Sequence, residues 1–228
     1  MKIDFHVHTK FSPDSFSEPA RLVRAAVRKG LGGIAITDHG TFGAVAEARE
    51  AAKKIAPKLV VIGGEEVLTD RGEVLCLFIS RAIKSRKFED VCRETHSQGG
   101  IVAIPHPFDQ YRRFRLDPEK LSKTQLAMAD AVEAYNSRVP RWGDNEKALL
   151  FALKHGKAVI GGSDAHFVFE LGTSCAHVFA STEEGAKRCV LQRKSSATGT
   201  RSRTRPFFVH GLTKAAKRVK DKFFKKGK

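Results

Sequence analysis

The sequence predicts an α/β protein built on a barrel of mostly parallel strands. Short apolar runs typical of buried strands alternate with longer segments whose apolar residues recur at helical spacing. Several of the strand-like runs end in histidine or carboxylate residues, and the C-terminal strand ends of a parallel barrel converge on one mouth. With 228 residues, 41% of them hydrophobic, the chain can bury one substantial core.

The first strand is predicted at Ile3–Thr9, where polar and apolar residues alternate as in a half-buried strand. This alternation would place Asp4, His6 and His8 on one side of the strand. Two imidazoles at positions i and i+2 project from the same side and suit one metal ion. A His-x-His pair also occurs as ordinary polar decoration, so its meaning depends on the rest of the chain.

The later strands are predicted from apolar runs that end in or carry residues able to bind metal. They are 33–37, followed by Asp38 and His39; 59–62, followed by Glu65 and Glu66; 100–104, followed by His106; 131–135, which carries Glu133 into Asn136; and 158–162, followed by Asp164 and His166. Explaining each polar end as a helix cap or a turn would require a separate reason every time. We therefore expect these residues to assemble into a single polar site.

Helices are predicted between the strands. The first is 19–29, with Pro19 near its start and Gly30 just past its end, as these residues prefer at helix termini. The others are 43–55, 88–98, 116–128 and 144–155, and a hairpin turn is predicted at 70–73 between strands 66–69 and 74–79. Strands that alternate with helices in this way favour a βα repeat.

The composition argues against membrane and disulfide-rich classes of protein. No apolar run approaches the length of a membrane-spanning helix, and Met1-Lys2-Ile3-Asp4 leads into the first strand without a signal-peptide core. The expected location is therefore the cytoplasm. The cysteines lie far apart and form no Cys-x-x-Cys pair, so we expect reduced core thiols at Cys76, Cys92, Cys175 and Cys189.

Charge is unevenly distributed along the chain. From residue 193 onward there are 13 basic residues and one acidic residue, which account for +12 of the formal net charge of +16. Residues 194–205 are predicted to be mobile and 211–224 to be helical. We therefore predict a catalytic domain at 1–192 and a basic, partly helical tail at 193–228, which could be a solubilising extension, bind nucleic acid, contact an anionic membrane or a partner protein, or pack on the barrel.

The motifs, taken in order, resemble those of the PHP (polymerase and histidinol phosphatase) family. They are His6-x-His8-Thr9 with Ser12 and Asp14, Thr37-Asp38-His39, Gly64-Glu65-Glu66, Pro105-His106-Pro107 and Gly162-Ser163-Asp164-Ala165-His166. The resemblance covers about residues 1–185, and the segment 133–138 also fits the small TrpH-type nucleotide phosphoesterases. It implies an irregular seven-stranded (β/α)7 TIM-like barrel with usually three divalent metals at its C-terminal mouth.

The resemblance also implies a set of metal ligands. The first metal would be held by His6, His8, Glu66 and Asp164, the second by Glu66 and His106, and the third by Asp14, His39 and His166. Many relatives carry a histidine where this chain has Glu73, which is then either a ligand of the second metal or a turn carboxylate in water. Asp38 either binds metal or orients a neighbouring imidazole. Relatives carry an arginine at the position of Arg138, which makes it the favoured phosphate-binding residue, with Arg112, Arg113 and Arg115 as alternatives.

Clustered Asp, Glu and His side chains suit Mn²⁺, Fe²⁺ or Zn²⁺ better than Ca²⁺, so two or three such ions are expected. Close-set ions can lower the pKa of a shared water and hold a phosphate opposite it. The predicted activity is hydrolysis of a phosphomonoester or nucleotide by metal-activated hydroxide. The alternative is a nuclease or other nucleic-acid-processing phosphodiesterase that uses the basic tail to bind its polymer. A third alternative, a binding module with a decayed site, is disfavoured by the complete ligand set.

Overall fold

The computed structural model describes residues 1–202, so the helix predicted at 211–224 lies outside the described residues. The described strands are β1 (Lys2–Val7), β2 (Gly33–Ile36), β3 (Val60–Thr69), β4 (Gly72–Leu77), β5 (Ile101–Ile104), β6 (Ala131–Asn136), β7 (Ala158–Gly162), β8 (Ser174–His177) and β9 (Ser196–Gly199). The α-helices are α1 (Pro19–Arg28), α2 (Ala44–Ile55), α3 (Phe88–Ser97), α4 (Lys123–Met128), α5 (Trp142–Lys154) and α6 (Glu183–Leu191).

The strands form one sheet in the order β7-β6-β5-β4-β3-β2-β1-β8-β9. The pairs β1/β2, β2/β3, β5/β6 and β6/β7 are parallel, whereas the pairs that involve β4, β8 or β9 are antiparallel. The far end of β7 returns to β1, where the His8 amide donates to the Ala165 carbonyl at 2.9 Å. The sheet is therefore a nearly closed, barrel-like structure.

The prediction of seven strands is wrong, because the described sheet has nine. The additional strands are β8 and β9, whose short sequences Ser-Cys-Ala-His and Ser-Ala-Thr-Gly contain no apolar run. Their pairing is supplied by the open edge of β1, which binds β8 antiparallel, and by β8 itself. The mobile segment predicted at 194–205 is likewise wrong over Ser196–Gly199, where the chain pairs with β8.

Strand β3 is one long strand where the sequence predicted two. Its first half pairs in parallel with β2 up to Gly63, and its second half pairs antiparallel with β4 from Gly64 onward. A Cβ atom on Gly63 would lie 2.5 Å from the Ile79 carbonyl oxygen, so only glycine fits where the strand changes partner. Glu66 follows directly and is thereby carried to the mouth of the barrel.

The helix predicted at 116–128 is wrong over its first part. Leu116 is buried without being helical, a short 3-10 turn occupies Pro118–Lys120, and α4 starts only after Ser122. The Asp117 side chain accepts from the Glu119 amide, and the Ser122 side chain accepts from the Gln125 amide. These two caps start separate turns, because each satisfies the free amides at a helix N-terminus.

Strand β1 contains an irregularity that shapes the site. Its register against β2 shifts between Asp4 and Val7. Ile3 and Phe5 pack in the cluster that also contains the interior residues of β4 and β5, whereas Val7 packs against α1 and α2. The shift corresponds to one extra residue on β1 and interrupts the simple alternation that the sequence predicted. The Asp4 carboxylate accepts from the Ser163 and Gly172 amides.

The cysteines and the helices bear on the classes of protein considered from the composition. All four cysteines are buried and unpaired. Within residues 1–202, none of the helices combines the length and the apolar character that a bilayer-spanning helix requires.

Candidate metal centre

The ends of the strands bring nine sequence-predicted residues together at one mouth of the barrel. Four groups of three have ligand atoms that all lie within 4.8 Å of one another. These groups are His6/His8/Glu66, His6/His106/Asp164, His8/His39/His166 and His39/Glu66/Glu73, and Asp14 lies against His39 and His166. Residues from strands far apart in sequence therefore converge as expected of a parallel barrel.

The first group brings the Nε2 atoms of two imidazoles close to the same carboxylate oxygen. His6 Nε2 and His8 Nε2 are 3.0 Å apart, and each lies within 3.4 Å of Glu66 Oε2. Asp164 Oδ1 is 3.3 Å from His8 Nε2 and 3.7 Å from His6 Nε2. Glu66 Oε2 and Asp164 Oδ1 are buried and accept no well-formed hydrogen bond within the described residues. Buried oxygens and imidazole nitrogens that face a common point are the donor set of a transition-metal ion.

Glu66 also contacts two histidines outside the first group, His106 and His39. Its Oε1 lies 3.2 Å from His106 Nε2, and its Oε2 lies 3.0 Å from His39 Nδ1. Glu73 approaches more loosely, with Oε2 at 3.9 Å from His106 Nε2. The neighbouring Glu65 points elsewhere, because its carboxylate accepts from the Ile83 amide at 3.0 Å. Both oxygens of the Glu66 carboxylate therefore contact imidazoles, whereas the Glu65 carboxylate is engaged outside the cluster.

Asp14 lies between two imidazoles that line the cavity, those of His39 and His166. Its Oδ2 lies 3.5 Å from His39 Nε2, and its Oδ1 lies 3.4 Å from His166 Nε2. All three side chains line the cavity at the mouth, and Asp14 is itself buried. These contacts bring together the three side chains that the resemblance grouped as ligands of a third metal.

Asp38 lies behind His8 and controls its tautomer. The Ser12 hydroxyl donates to Asp38 Oδ1 at 2.6 Å, so its oxygen is left to accept from His8 Nδ1 at 3.0 Å. Asp38 also accepts from the Thr9 amide and hydroxyl, both at 2.7 Å. With its Nδ1 protonated, His8 presents the Nε2 lone pair to the centre. Of the two roles considered for Asp38, this geometry supports orientation of an imidazole.

Glu133 performs the same task for His6; the sequence placed it among the residues expected at the polar site but did not assign it a specific role there. Its Oε1 lies 3.0 Å from His6 Nδ1, while its Oε2 accepts from the His106 amide at 2.8 Å and from Asn136 Nδ2 at 2.9 Å. In the sequence, the signal for Glu133 is a carboxylate within the otherwise largely apolar strand β6. Such a residue is seldom fully buried, as Glu133 is, unless it is paired. Gly162 makes room for the pair, because a Cβ there would lie 2.3 Å from His6 Cβ.

Two of the converging residues have unusual backbones. His106 has φ of 31° and Asp164 has φ of 55°, both in the left-handed region that non-glycine residues seldom adopt. Each lies two residues past the end of a strand, β5 for His106 and β7 for Asp164, where the chain turns at the mouth. Backbone strain of this kind is concentrated at functional sites.

The arginine in contact with the cluster is Arg112, although the resemblance favoured Arg138. Arg112 forms a close ion pair with Asp164 and a second with Asp109, at 3.2 Å. Arg138 is only 4% exposed and lies 3.9 Å from Glu170, and it also lines the cavity. The signal for Arg112 was its position after His106, but only the fold of that loop directs it to the centre.

The electrostatics suit cation binding. Burial opposes ionisation of Asp164, but Arg112 and His6 hold the pKa of this carboxyl well below its usual range. Burial and the neighbouring His166 and His39 lower the pKa of His8 to about 4, which keeps its imidazole neutral. Neutral imidazoles and ionised carboxylates are the protonation states that metals require.

Nearby carboxylates act in the opposite direction on two other imidazoles. Against the effect of burial, Asp164, Glu133 and Glu66 raise the pKa of His6 well above its usual value. Glu66 and Asp14 do the same for His39. The raised pKa values of His6 and His39 favour a proton on each imidazole, and a metal ion bound to these rings would displace that proton.

The centre opens into a cavity of about 670 Å³, a volume in the usual range for a small-molecule site. Its wall combines centre residues with basic and apolar side chains, among them Leu68, Arg112, Phe114, Arg138 and Pro140. A small anionic molecule can therefore reach the centre directly from solvent.

A barrel-like α/β fold with a histidine and carboxylate cluster at its mouth defines a metal-dependent hydrolase. The PHP domain family model matches residues 4–155, and the PHP-associated family model matches residues 142–187. The chain belongs to the PHP family, and as a member it is a metal-dependent phosphoesterase.

Three proteins of similar sequence illustrate the relatives of this chain. The chain is 32% identical over 177 residues to an uncharacterised protein of Methanocaldococcus jannaschii, covering 76% of this chain and 69% of that protein. It is 42% identical over 178 residues to the 5'-3' exoribonuclease Rnm of Escherichia coli, covering 77% of this chain but only 52% of the relative. A probable phosphatase of Acetivibrio thermocellus is 26% identical over 225 residues, with 85% and 91% covered.

A solved structure shares the fold. It is a two-domain protein from Bacteroides vulgatus that contains a predicted PHP-like metal-dependent phosphoesterase. The TM-score is 0.73 at 23% sequence identity, and the match covers 88% of this chain and 65% of that protein. This likeness supports the barrel-like fold assigned to the chain.

Proposed function

We propose that this protein hydrolyses a phosphomonoester or nucleotide with two or three divalent ions, Mn²⁺, Fe²⁺ or Zn²⁺, held at the mouth of the barrel. The observation that carries the proposal is the convergence of His6 Nε2 and His8 Nε2 on buried oxygens of Glu66 and Asp164 that accept no well-formed hydrogen bond within residues 1–202. Such a set is expensive to bury unless a cation compensates it.

The contacts suggest one set of proposed ligands for each of three ions. Glu66 would be shared between the first two ions, because its two oxygens face different imidazoles. The first ion would take His6, His8, Glu66 and Asp164, the second Glu66 and His106 with Glu73, and the third Asp14, His39 and His166. Bound ions would lower the pKa of a coordinated water and offset the negative charge of the phosphoryl group.

Protein groups supply orientation and positive charge around that chemistry. Glu133 and Asp38 hold two imidazoles in the tautomers that present Nε2 to the centre. Arg138 Nη1 is buried and lies 3.9 Å from Glu170 Oε2 without a well-formed hydrogen bond within the described residues, which supports a role for this donor in binding a phosphoryl oxygen. Arg112 would be a second phosphate-binding group, since it lines the cavity and already contacts Asp164.

A nuclease or other nucleic-acid-processing phosphodiesterase is the second candidate. It is supported by the name of the Escherichia coli relative and by the +12 of charge beyond residue 192. The chain spans about half the length of that relative, so the activity of the whole relative comes to this chain only as part of the proposal.

A substrate panel tests both candidates. Purified protein reconstituted with Mn²⁺ would be assayed on histidinol phosphate, nucleoside 3',5'-bisphosphates, and short RNA and DNA. We expect turnover of at least one of these substrate classes. The variant His8→Ala should lose this activity. The control variant His96→Ala should keep it, because His96 lies outside the metal centre and pairs with Asp130. Absence of bound metal and of turnover with Mn²⁺, Fe²⁺ and Zn²⁺ alike would refute the proposal.

A further inference from the structure

Asp4 is a carboxylate in the interior of the barrel whose presence the metal centre does not explain. It lies in β1 two residues before His6 and is completely buried. Among residues 1–202 it belongs to none of the histidine and carboxylate groups that could hold a metal ion. An acidic side chain is seldom buried without partners, because its charge loses hydration. The hydrogen bonds of Asp4 therefore indicate what it does.

Both oxygens of the Asp4 carboxylate accept hydrogen bonds from the loop 163–172, which follows β7 and leads to β8. Oδ1 accepts from the Ser163 amide at 2.8 Å, and Oδ2 accepts from the Ser163 hydroxyl at 2.5 Å. Oδ2 also accepts from the Gly172 amide at 2.8 Å. All three partners are donors, as the acceptor-only carboxylate requires. One side chain thus ties the two ends of the loop together.

The loop carries Asp164, a proposed ligand of the first ion. Asp164 follows Ser163 directly, and its φ of 55° lies in the left-handed region. Such a backbone conformation persists only where the surrounding structure holds it. The two hydrogen bonds from Ser163 to Asp4 fix the residue that precedes this turn. They thereby hold the Asp164 carboxylate near His8, where Oδ1 lies 3.3 Å from Nε2.

His166, the other proposed ligand in the loop, is held by different residues. Its carbonyl accepts from the Ser15 hydroxyl at 2.8 Å, and its amide donates to Glu170 Oε2 at 2.9 Å. These contacts anchor the middle of the loop independently of its ends. A change at Asp4 should therefore act on Asp164 more than on His166.

We propose that Asp4 is a positioning residue for Asp164. Through Ser163 it holds the backbone of this ligand in the left-handed turn that places the carboxylate at the first metal site. The inference rests on the proposed function, because it takes Asp164 as a ligand of the first ion. The role differs from that of Glu133 and Asp38, which orient imidazoles, since Asp4 acts on the backbone next to a carboxylate ligand.

The variant Asp4→Asn tests the proposal. It keeps the size of the side chain but replaces one acceptor oxygen with a donor, so either the Ser163 or the Gly172 amide loses its acceptor. Calorimetric titration of the metal-free protein with Mn²⁺ should show one ion bound about tenfold more weakly, as for other residues that orient a ligand. At a fixed Mn²⁺ concentration, the ion should then raise the thermal midpoint less than it does in the parent protein.

A second variant and a matched control separate positioning from a purely structural role. Ser163→Ala keeps both amide bonds but removes the hydroxyl bond to Asp4, so it should weaken the same Mn²⁺ site by a smaller factor. Asp130→Asn makes the same substitution just before β6, at the opposite end of the barrel, where Asp130 Oδ2 accepts from the Val102 amide at 2.8 Å. This control should lower the thermal midpoint but leave Mn²⁺ affinity unchanged.

The outcomes distinguish this inference from the proposed function. Unchanged Mn²⁺ affinity in Asp4→Asn, with equal losses of thermal midpoint in the presence and absence of the ion, would show a structural role only. If Asp4→Asn does not fold, unchanged affinity in Ser163→Ala would overturn the proposal in the same way. A parent protein that binds Mn²⁺ but turns over no phosphate ester would refute the proposed function, and weaker binding in Asp4→Asn would still support the positioning role.

Discussion

His6 Nδ1 lies 3.0 Å from Glu133 Oε1, although 127 residues separate the two in the chain and both are fully buried. The contact turns Nε2 of His6 toward Glu66 and Asp164. A carboxylate on the far nitrogen of an imidazole fixes its orientation and makes it a stronger ligand.

This contact predicts the effect of Glu133→Gln. The amide keeps the shape of the side chain but removes its charge, so we expect metal affinity or kcat/KM to fall by about 10- to 100-fold. Metal titration and steady-state kinetics would measure both quantities. A variant that binds metal and turns over substrate as the parent does would show that Glu133 only fills space.

Substitution of the neighbouring glutamates distinguishes the bridging residue. Glu66→Gln should remove metal and activity together, whereas Glu65→Gln should retain the metal, because Glu65 accepts from the Ile83 amide on the other face of β3. Elemental analysis of both proteins is the measurement, and the reverse pattern would contradict the assignment. Glu73→Ala should lose one metal equivalent if Glu73 serves the second site.

Metal binding should release protons at neutral pH. Against the effect of burial, nearby carboxylates raise the pKa values of His6 and His39, which favours a proton on each imidazole of the metal-free protein that must be lost on coordination. Metal affinity should therefore weaken as the pH falls. Calorimetric titrations in two buffers with different ionisation enthalpies would reveal the release, and identical heats in both buffers would exclude it.

Truncation of the chain should give different results at two positions. Ending after Ser202 removes ten basic residues and one acidic residue and leaves β9 in place. This variant should turn over a small phosphomonoester within a few-fold of the full chain, yet bind RNA more weakly and with a shallower salt dependence. Unchanged RNA affinity would remove the main support for the nuclease alternative.

Ending after Leu191 should also lower the thermal stability. That cut removes β9 and exposes the edge of β8. It also deletes the Ser195 hydroxyl that donates to the Val159 carbonyl at 2.6 Å. Thermal unfolding of the two truncated proteins provides the comparison, and equal midpoints would show that β9 contributes nothing to the barrel.

The buried thiols should be inert in the folded protein. Burial raises the pKa of Cys92 to about 12 and also raises the pKa values of Cys76 and Cys175, so the reactive thiolate is scarce at pH 8. Alkylation followed by mass spectrometry should label these three cysteines slowly in the native protein and rapidly in denaturant. Rapid native labelling would indicate that the core opens.

The sequence by itself determined which residues meet at the mouth. Apolar runs mark the buried strands, and the residue directly after such a run lies at the strand end wherever the sheet is parallel. For this reason His39, His106, Asp164 and His166 could be expected at one place without any knowledge of their distances, whereas Glu66 lies inside the long strand β3. The helices α1, α2, α3 and α5 were predictable for a similar reason, because their helical spacing of apolar residues is local.

Tertiary structure decided what local patterns cannot encode. Strands β8 and β9 exist because a neighbouring edge supplies their hydrogen-bond partners, and their own sequences lack an apolar signal. The irregularity in β1 interrupted the alternation of its side chains, and the folded loop after β5 directed Arg112 to Asp164. Periodicity reports whether a residue is buried, but its partners are selected only when distant segments pack together.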